Sequence, residues 1–427
     1  MNERALKLLR DRFRASPALL EAAGRAEAAL GPVLAGVETV VAANQARVLQ
    51  AFLDAGVGEE DLTESTGYGY HSAAHERIEG VFASAFGSED ALVSMGIVSG
   101  THAIALALFG NLKPGDELVA ASGQPYDTLQ EVVGVAGATP AATGSLASMG
   151  VTYREVRLTA GGRPDLKALA AALTPRTRMV MVQKSRGYAF RPSLSCQGIG
   201  EVVEVVRRRA PGAVVFVDNC YGEFVEDREP LAAGADLVAG SLIKNPGGGL
   251  APGGGYVAGR ATLVEGARRR LTAPGVGGRG RITASDARQV LQGFFLAPMV
   301  VGEAVKSAHF AAALFKELGY EVSPAPGQAR YDIIQGIRLG SEERLIAFCR
   351  GIQRASPVNS RVRPEPAPME GYPDRILMAA GAFVQGSSIE LSADAPIRPP
   401  FDVYVQGGLS YAHAQIALVS AAAALEP

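Results

Sequence analysis

The stretch that most constrains this chain is Val214–Gly255, VVFVDNCYGEFVEDREPLAAGADLVAGSLIKNPGGGLAPGGG. It opens on an apolar, β-branched run, Val214–Val217, of the kind that forms a strand buried on both faces of a parallel sheet. The run ends in Asp218. A second short apolar run, 236–239, is followed by Gly240-Ser241-Leu242-Ile243-Lys244 and then a tract almost without side chains. Between Asp218 and Lys244 there is room for one helix and one strand. An acid and a lysine that close successive parallel strands lie on the sheet edge where α/β proteins bind ligands. Each residue alone is ordinary, the aspartate as a turn cap and the lysine as a solvated charge. Together they suit pyridoxal phosphate (PLP): a lysine for the Schiff base, and an aspartate that keeps the pyridine nitrogen protonated.

The neighbouring segments supply the other parts of such a site. The run 91–98 is strand-like and leads through Ser99-Gly100-Thr101-His102 into a helix over 103–109. A strand, a tight turn and a helix N-terminus make an anion site, because unpaired N–H groups and the positive dipole end face one point. The next strand, 117–121, leads to Tyr126, an aromatic placed to stack on a planar ring. Another strand over 178–182 precedes Gln183-Lys184-Ser185-Arg186-Gly187-Tyr188, Arg191-Pro192 and a helix over 200–209. Strands and helices thus alternate from about residue 90 to 260, which predicts a mostly parallel sheet covered on both faces. The glycine-rich tract 247–255 reads as close backbone packing around a ligand, and 272–281 as a mobile loop.

The flanks read differently. Residues 1–60 form an N-terminal helical arm, peripheral or intersubunit, in which Ala5, Leu8, Leu9 and Phe13 recur at helical spacing. The large PLP-binding α/β domain spans 61–300 and a smaller α+β domain spans 301–427. In the smaller domain the pattern predicts a strand over 333–339, a helix over 342–354, strands near 376–384 and 387–391, and a helix over 412–425. Its expected chemical contribution is a cation for a substrate carboxylate, with Arg398 and Arg375 as candidates and Arg191 a further one from the large domain.

Composition excludes several classes. The chain has 427 residues, 48% hydrophobic and 20% charged, with net charge −2. That gives no electrostatic case for nucleic acid or an anionic membrane. Three cysteines (Cys196, Cys220, Cys349) without a CxxC point to a reducing compartment, and the five histidines lack zinc-ligand spacing. Basic residues interrupt the first twenty positions, and no long apolar run is found beyond them. A cytoplasmic protein is expected.

These residues together resemble the fold-type I PLP enzymes, and within them the Cys/Met-metabolism group of cystathionine lyases and methionine γ-lyase. The chain is most similar to the methionine γ-lyase-like or "aluminium resistance" family. The strings that carry the resemblance are TGYGY (66–70), SGTHAI (99–104), PYDT (125–128), VDNCYGEFVE (217–226), GADLVAGSLIKNPGGG (234–249) and QGGLSYAH (406–413). The resemblance implies the aspartate aminotransferase-like fold. It makes Lys244 the Schiff-base lysine and Asp218 the pyridine partner. Ser99, Gly100, Thr101 and Ser241 would hold the phosphate, and Tyr126 would stack on the ring and assist as acid or base. Tyr68 and Tyr70 would reach a neighbouring subunit's site, implying a homodimer with shared active sites, paired into a homotetramer. The implied reaction on a sulfur-containing amino acid is Cα deprotonation by Lys244, then β- or γ-elimination to a 2-oxo acid and ammonia. γ-Replacement, transamination or a non-catalytic stress role are the alternatives. The sequence departs from related lyases at Ile243 (threonine in those enzymes), at His75 and Ser94 (arginines in those enzymes), and at Glu390, which replaces the arginine before Leu-Ser.

Overall fold

The computed structural model describes residues 1–62, 72–135, 144–276 and 284–426. The chain starts with helices α1 (Glu3–Phe13), α2 (Pro17–Ala28) and α3 (Gly31–Ala55). Then α4 (Ala73–Phe86) leads into β1 (Asp90–Ser94), α5 (Gly100–Asn111), β2 (Glu117–Ala120), α6 (Asp127–Val133) and β3 (Thr152–Glu155). Next come α7 (Leu166–Ala172), β4 (Thr177–Gln183), α8 (Cys196–Arg209), β5 (Val214–Asp218), β6 (Leu237–Ser241), β7 (Gly255–Gly259) and α9 (Ala261–Leu271). The long α10 (Ala284–Glu317) leads to β8 (Glu321–Ser323), β9 (Ile334–Arg338), α11 (Glu342–Arg354), β10 (Ile376–Ala380), β11 (Ser392–Pro396), β12 (Asp402–Gln406) and α12 (Tyr411–Ala423).

The large sheet has seven strands in the order β1-β7-β6-β5-β4-β2-β3. Only β7 runs against its neighbours, pairing antiparallel with both β1 and β6. Alternate side chains of β5 explain why its sequence is an unbroken apolar run. Val215 and Val217 join one buried cluster with Val180 and Val182, while Val214 and Phe216 join another with Met179 and Met181. Both faces are dry, so both parities must be apolar. The register Gln183↔Asp218 and Asp218↔Ala239 aligns the C-terminal ends of β4, β5 and β6. The loops leaving these three strands therefore emerge on one edge of the sheet.

The second sheet, β10-β11-β12-β9-β8, is antiparallel. Leu345 and Phe348 of α11, Leu418 of α12 and Phe310 and Leu314 of α10 pack with it. The N-terminal arm is not peripheral. Leu9 and Phe13 of α1 and Leu19 of α2 are buried in that same cluster, and Val48 of α3 joins the large-domain core. Among the described residues no single helix is long and apolar enough to cross a membrane.

Two expectations fail for identifiable reasons, and a third is only partly covered. Residues 387–391 are not a strand. Their carbonyls accept from a later loop, Ile389 O from Gly408 N and Glu390 O from Leu409 N, and the ladder starts only at Ser392. Of the segment 272–281, residues 277–281 lie outside the described residues. The glycine tract after Lys244 packs against protein, not around a ligand. A Cβ on Gly247 would overlap the Leu242 carbonyl, and one on Gly248 (φ +54) would meet the Gly293 carbonyl of α10. Bare backbone on bare backbone fixes the loop that carries Lys244. Gly247→Ala should therefore lower the unfolding free energy by about 3 kcal/mol, as severe overpacking does. Denaturant titration checks this, and an unchanged midpoint would mean the loop can shift freely.

Candidate active site

The aligned strand ends open on a cavity of about 520 Å³ lined by Ser99, Thr101, Tyr126, Asp218, Ser241 and Lys244, among others. One wall is the start of α5. Ser99 is the N-cap, its Oγ accepting from His102 N at 3.1 Å. The N–H groups of Gly100 and Thr101 sit in the first turn, where a helix offers them no acceptor. Gly100 leaves a cradle there. A Cβ at this position would lie 3.0 Å from Cys220 Sγ and 3.6 Å from Lys244 Nζ. Facing this turn from β6, the Ser241 hydroxyl is buried and has no hydrogen-bond partner. An orphaned donor beside free N–H groups at a positive helix end is a fitting cradle for a phosphate dianion. The residues present thus fit PLP.

The chemical end of the cavity is equally specific. Asp218 closes β5, is buried, and accepts from Cys220 N at 3.1 Å. Burial pushes its carboxyl upward, and the nearby Lys244 charge pulls it partly back. Lys244 Nζ sits 4.1 Å from the centroid of the Tyr221 ring. Burial pushes the Lys244 ammonium down, and the acidic groups around it, Cys220, Tyr221, Asp218 and Tyr126, push it up. Tyr221 is held at φ +70, a left-handed conformation costly for a bulky residue. From that conformation its ring lies over the lysine. Tyr126 caps α6, its hydroxyl 3.0 Å from Thr101 Oγ1, which is 3.3 Å from Thr128 Oγ1. Burial, and then the charge of Asp218, push the Tyr126 phenol upward. It stays protonated and can donate a proton, but it is a poor base at neutral pH.

Residues 19–426 match the methionine gamma-lyase family. The chain belongs to that family. The uncharacterized protein YnbB of Bacillus subtilis is 47% identical over 403 residues, 94% of this chain and 95% of that protein. A solved carbon–sulfur lyase involved in aluminum resistance from Clostridium novyi NT is 40% identical, with a TM-score of 0.93 and 99% of both chains covered. The pyridoxal-5'-phosphate-dependent protein YhfS of Escherichia coli has a TM-score of 0.61 at 20% identity, covering 90% of this chain and 95% of that one. The fold is therefore the fold-type I PLP-dependent fold, as the sequence implied.

The other residues singled out from sequence are scattered by comparison. Tyr68 and Tyr70 lie outside the described residues. Arg191 lines the cavity, but its Nη1 donates to Pro192 O at 3.1 Å and its Nη2 to Ser185 O at 2.6 Å. Arg398 is at the rim, half exposed and paired with Asp374 at 3.0 Å. Arg375 is not at the site at all: it faces solvent and pairs with Glu342 of α11. Neither His75 nor Ser94 lines the cavity. His75 is buried beside Glu79 at 3.6 Å, and Ser94 Oγ accepts from Gly96 N. Ile243 does line the cavity and offers no hydroxyl.

The structure adds residues that sequence reasoning missed. Tyr221 was visible in the string VDNCYGEFVE, but nothing local announced its positive φ. Arg186 comes just after β4 and lines the cavity fully buried. Behind the wall, Asp394 of β11 accepts from Tyr188 Oη at 2.8 Å and Gln406 Nε2 at 2.6 Å. Burial pushes the Asp394 carboxyl from 3.8 up to about 6, which corresponds to about 3 kcal/mol of charge burial. The sign is that of a raised group: its stability is fully present below about 3.8 and lost as pH rises through about 6. Asp394→Asn in the cofactor-free protein should match wild type near the lower pH and become the more stable above the upper one. Melting curves across that window test it, and a gap independent of pH would remove Asp394 as the source.

Proposed function

We propose that this protein is a PLP-dependent carbon–sulfur lyase. It would act on a sulfur-containing amino acid by Cα deprotonation and β- or γ-elimination, releasing a 2-oxo acid and ammonia. The observation that supports this best is the convergence on one cavity of Lys244, the buried carboxylate of Asp218, and an α5 N-terminus facing the unpartnered Ser241 hydroxyl. The name of the Clostridium novyi relative supports the carbon–sulfur lyase class.

PLP, when bound, supplies an electron sink for the pair left at Cα when its proton is removed. The chain supplies the rest. Gly100, Thr101 and Ser241 would hold the phosphate, and Asp218 would keep a proton on the pyridine nitrogen. Lys244 would anchor the cofactor and, once its amine is free and neutral, take the Cα proton. Tyr126, kept protonated by burial, would serve as a proton donor to a leaving group and as the stacking face. The homodimer with sites shared through Tyr68 and Tyr70 belongs to this proposal. Sedimentation of the loaded protein tests it, since an active monomer would remove it.

The decisive experiment incubates the PLP-loaded protein with a panel of amino acids and assays 2-oxo acid, ammonia and thiol. All three products from a sulfur amino acid support the reading. Accumulation of pyridoxamine phosphate with no ammonia would replace it with transamination.

A further inference from the structure

We propose that Arg186 receives the α-carboxylate of the amino-acid substrate. The proposal rests on the PLP-dependent reading of the site and names the residue that the sequence left open. Arg186 leaves the C-terminal edge of the large sheet just after β4, lines the cavity that contains Lys244, and is only 1% exposed. Its Nη1 donates to the Ser323 carbonyl and to Ser323 Oγ at 3.1 Å. Its Nε and Nη2 are buried and have no hydrogen-bond partner. Those two nitrogens form the side-on edge of the guanidinium, the geometry that binds a carboxylate through two parallel hydrogen bonds.

The one carboxylate close by does not fill this edge. Asp332 forms a buried ion pair with Arg186, its Oδ2 3.6 Å from Nε, but at that separation it makes no hydrogen bond to this edge and accepts from Arg186 N at 2.9 Å. Asp332 Oδ1 accepts from Ile334 N at 3.2 Å. Charge around it is out of balance. Arg330 is also buried, donating through Nη2 to Ala308 O and Gln335 Oε1, while its Nε and Nη1 are unpartnered. Burial, and then the charge of Arg186, push Arg330 down to about 9; burial pushes Arg191 down to about 10. A buried cationic cluster with one carboxylate among it is a site short of an anion.

The competing arginines do not offer the same edge. Arg191 spends its Nη groups on backbone carbonyls, Arg398 is paired at the rim, and Arg375 is elsewhere. Arg186 is also tied to Ser323 and Asp332 of the C-terminal region, so a carboxylate bound there sits where the two sheets meet. Because Nε and Nη2 are closed to water, binding includes a small outward turn of this side chain.

The test titrates the PLP-loaded protein with L-norleucine, which has no leaving group, and with pentylamine, the same skeleton without the carboxylate. Absorbance change gives a dissociation constant for each. Arg186→Gln should weaken norleucine ~100-fold, in line with removing one partner of a buried charge pair, and leave pentylamine within ~3-fold. Arg186→Lys should regain part of the loss. Arg375→Gln, outside the cavity, should change neither. Norleucine binding unchanged in Arg186→Gln, or norleucine and pentylamine weakened equally, overturns the assignment while the PLP reading stands. If Arg186→Gln does not fold, Arg186→Lys carries the test: a selective ~10-fold loss for norleucine supports the assignment, and an equal loss or none overturns it. If wild type responds to neither compound and borohydride fixes no cofactor, the PLP reading fails and this inference with it.

Discussion

Lys244→Ala should abolish covalent attachment of PLP. Borohydride reduction of the loaded wild-type protein should fix the cofactor on the peptide that contains Lys244, and the variant should yield no adduct. The structure supports an all-or-none result. Lys244 lines the cavity beside the α5 turn, its Nζ only 3.6 Å from the position a Cβ would take on Gly100. The other large-domain lysine near the sheet edge, Lys184, is unsuited to replace it. Its Nζ is fully buried, 3.0 Å from Glu226 Oε2, and donates to Gly222 O at 3.3 Å. Burial pushes that ammonium down, but the charges around it, Glu226 and Glu229 among them, outweigh this and raise it. Turnover should fall by ~10⁴-fold or more, since anchoring and general-base roles vanish together. An adduct surviving on another lysine, or a turnover loss below tenfold, would sink both roles.

Much of this site was readable because its residues sit at strand ends. The apolar run 214–217 had to be a strand buried on both faces, and an acid closing it had to reach the sheet edge. The same logic placed Lys244 after β6 and Gly100 after β1. What stayed hidden depends on contacts between distant segments. Nothing near Arg186 in sequence says that its guanidinium meets Ser323 and Asp332, more than a hundred residues later. Strand β7 was hidden by its composition: Gly255 and Gly259 bound it, since Cβ atoms there would meet Ile97 and the Asp236 carbonyl. The tract 247–249 looked like a ligand cradle because close packing against α10 and against a ligand require the same residue. Residues 387–391 are buried as a strand would be, but Gly408 and Leu409 take the Ile389 and Glu390 carbonyls first.

Asp218→Asn should retain the cofactor and lose most of the turnover. Asparagine keeps the shape and can still accept from Cys220 N, so the pocket should persist and borohydride should still fix PLP on Lys244. What disappears is the negative charge. In wild type that charge is held in a buried site which, by itself, disfavours it, and burial raises the carboxyl accordingly. A protonated pyridine nitrogen would add a counter-charge to the one Lys244 already supplies, and without the carboxylate the ring would be a weaker electron acceptor. Loss of a preorganised electrostatic contact of this kind costs ~10²–10³-fold in turnover. The same physics gives the opposite sign for stability. A folded-state carboxyl raised above its unfolded value contributes stability that is lost as pH rises through it. The cofactor-free Asp218→Asn protein should therefore melt higher than wild type at neutral pH, with the gap closing as pH falls toward the ordinary aspartate range. Loading PLP should shrink that gap at neutral pH, because only wild type gains the ion pair. A variant that is slower yet more stable without its cofactor is the expected signature. Near-normal turnover, or a variant less stable than wild type at neutral pH, would mean that Asp218 is a structural cap and not the partner of the ring.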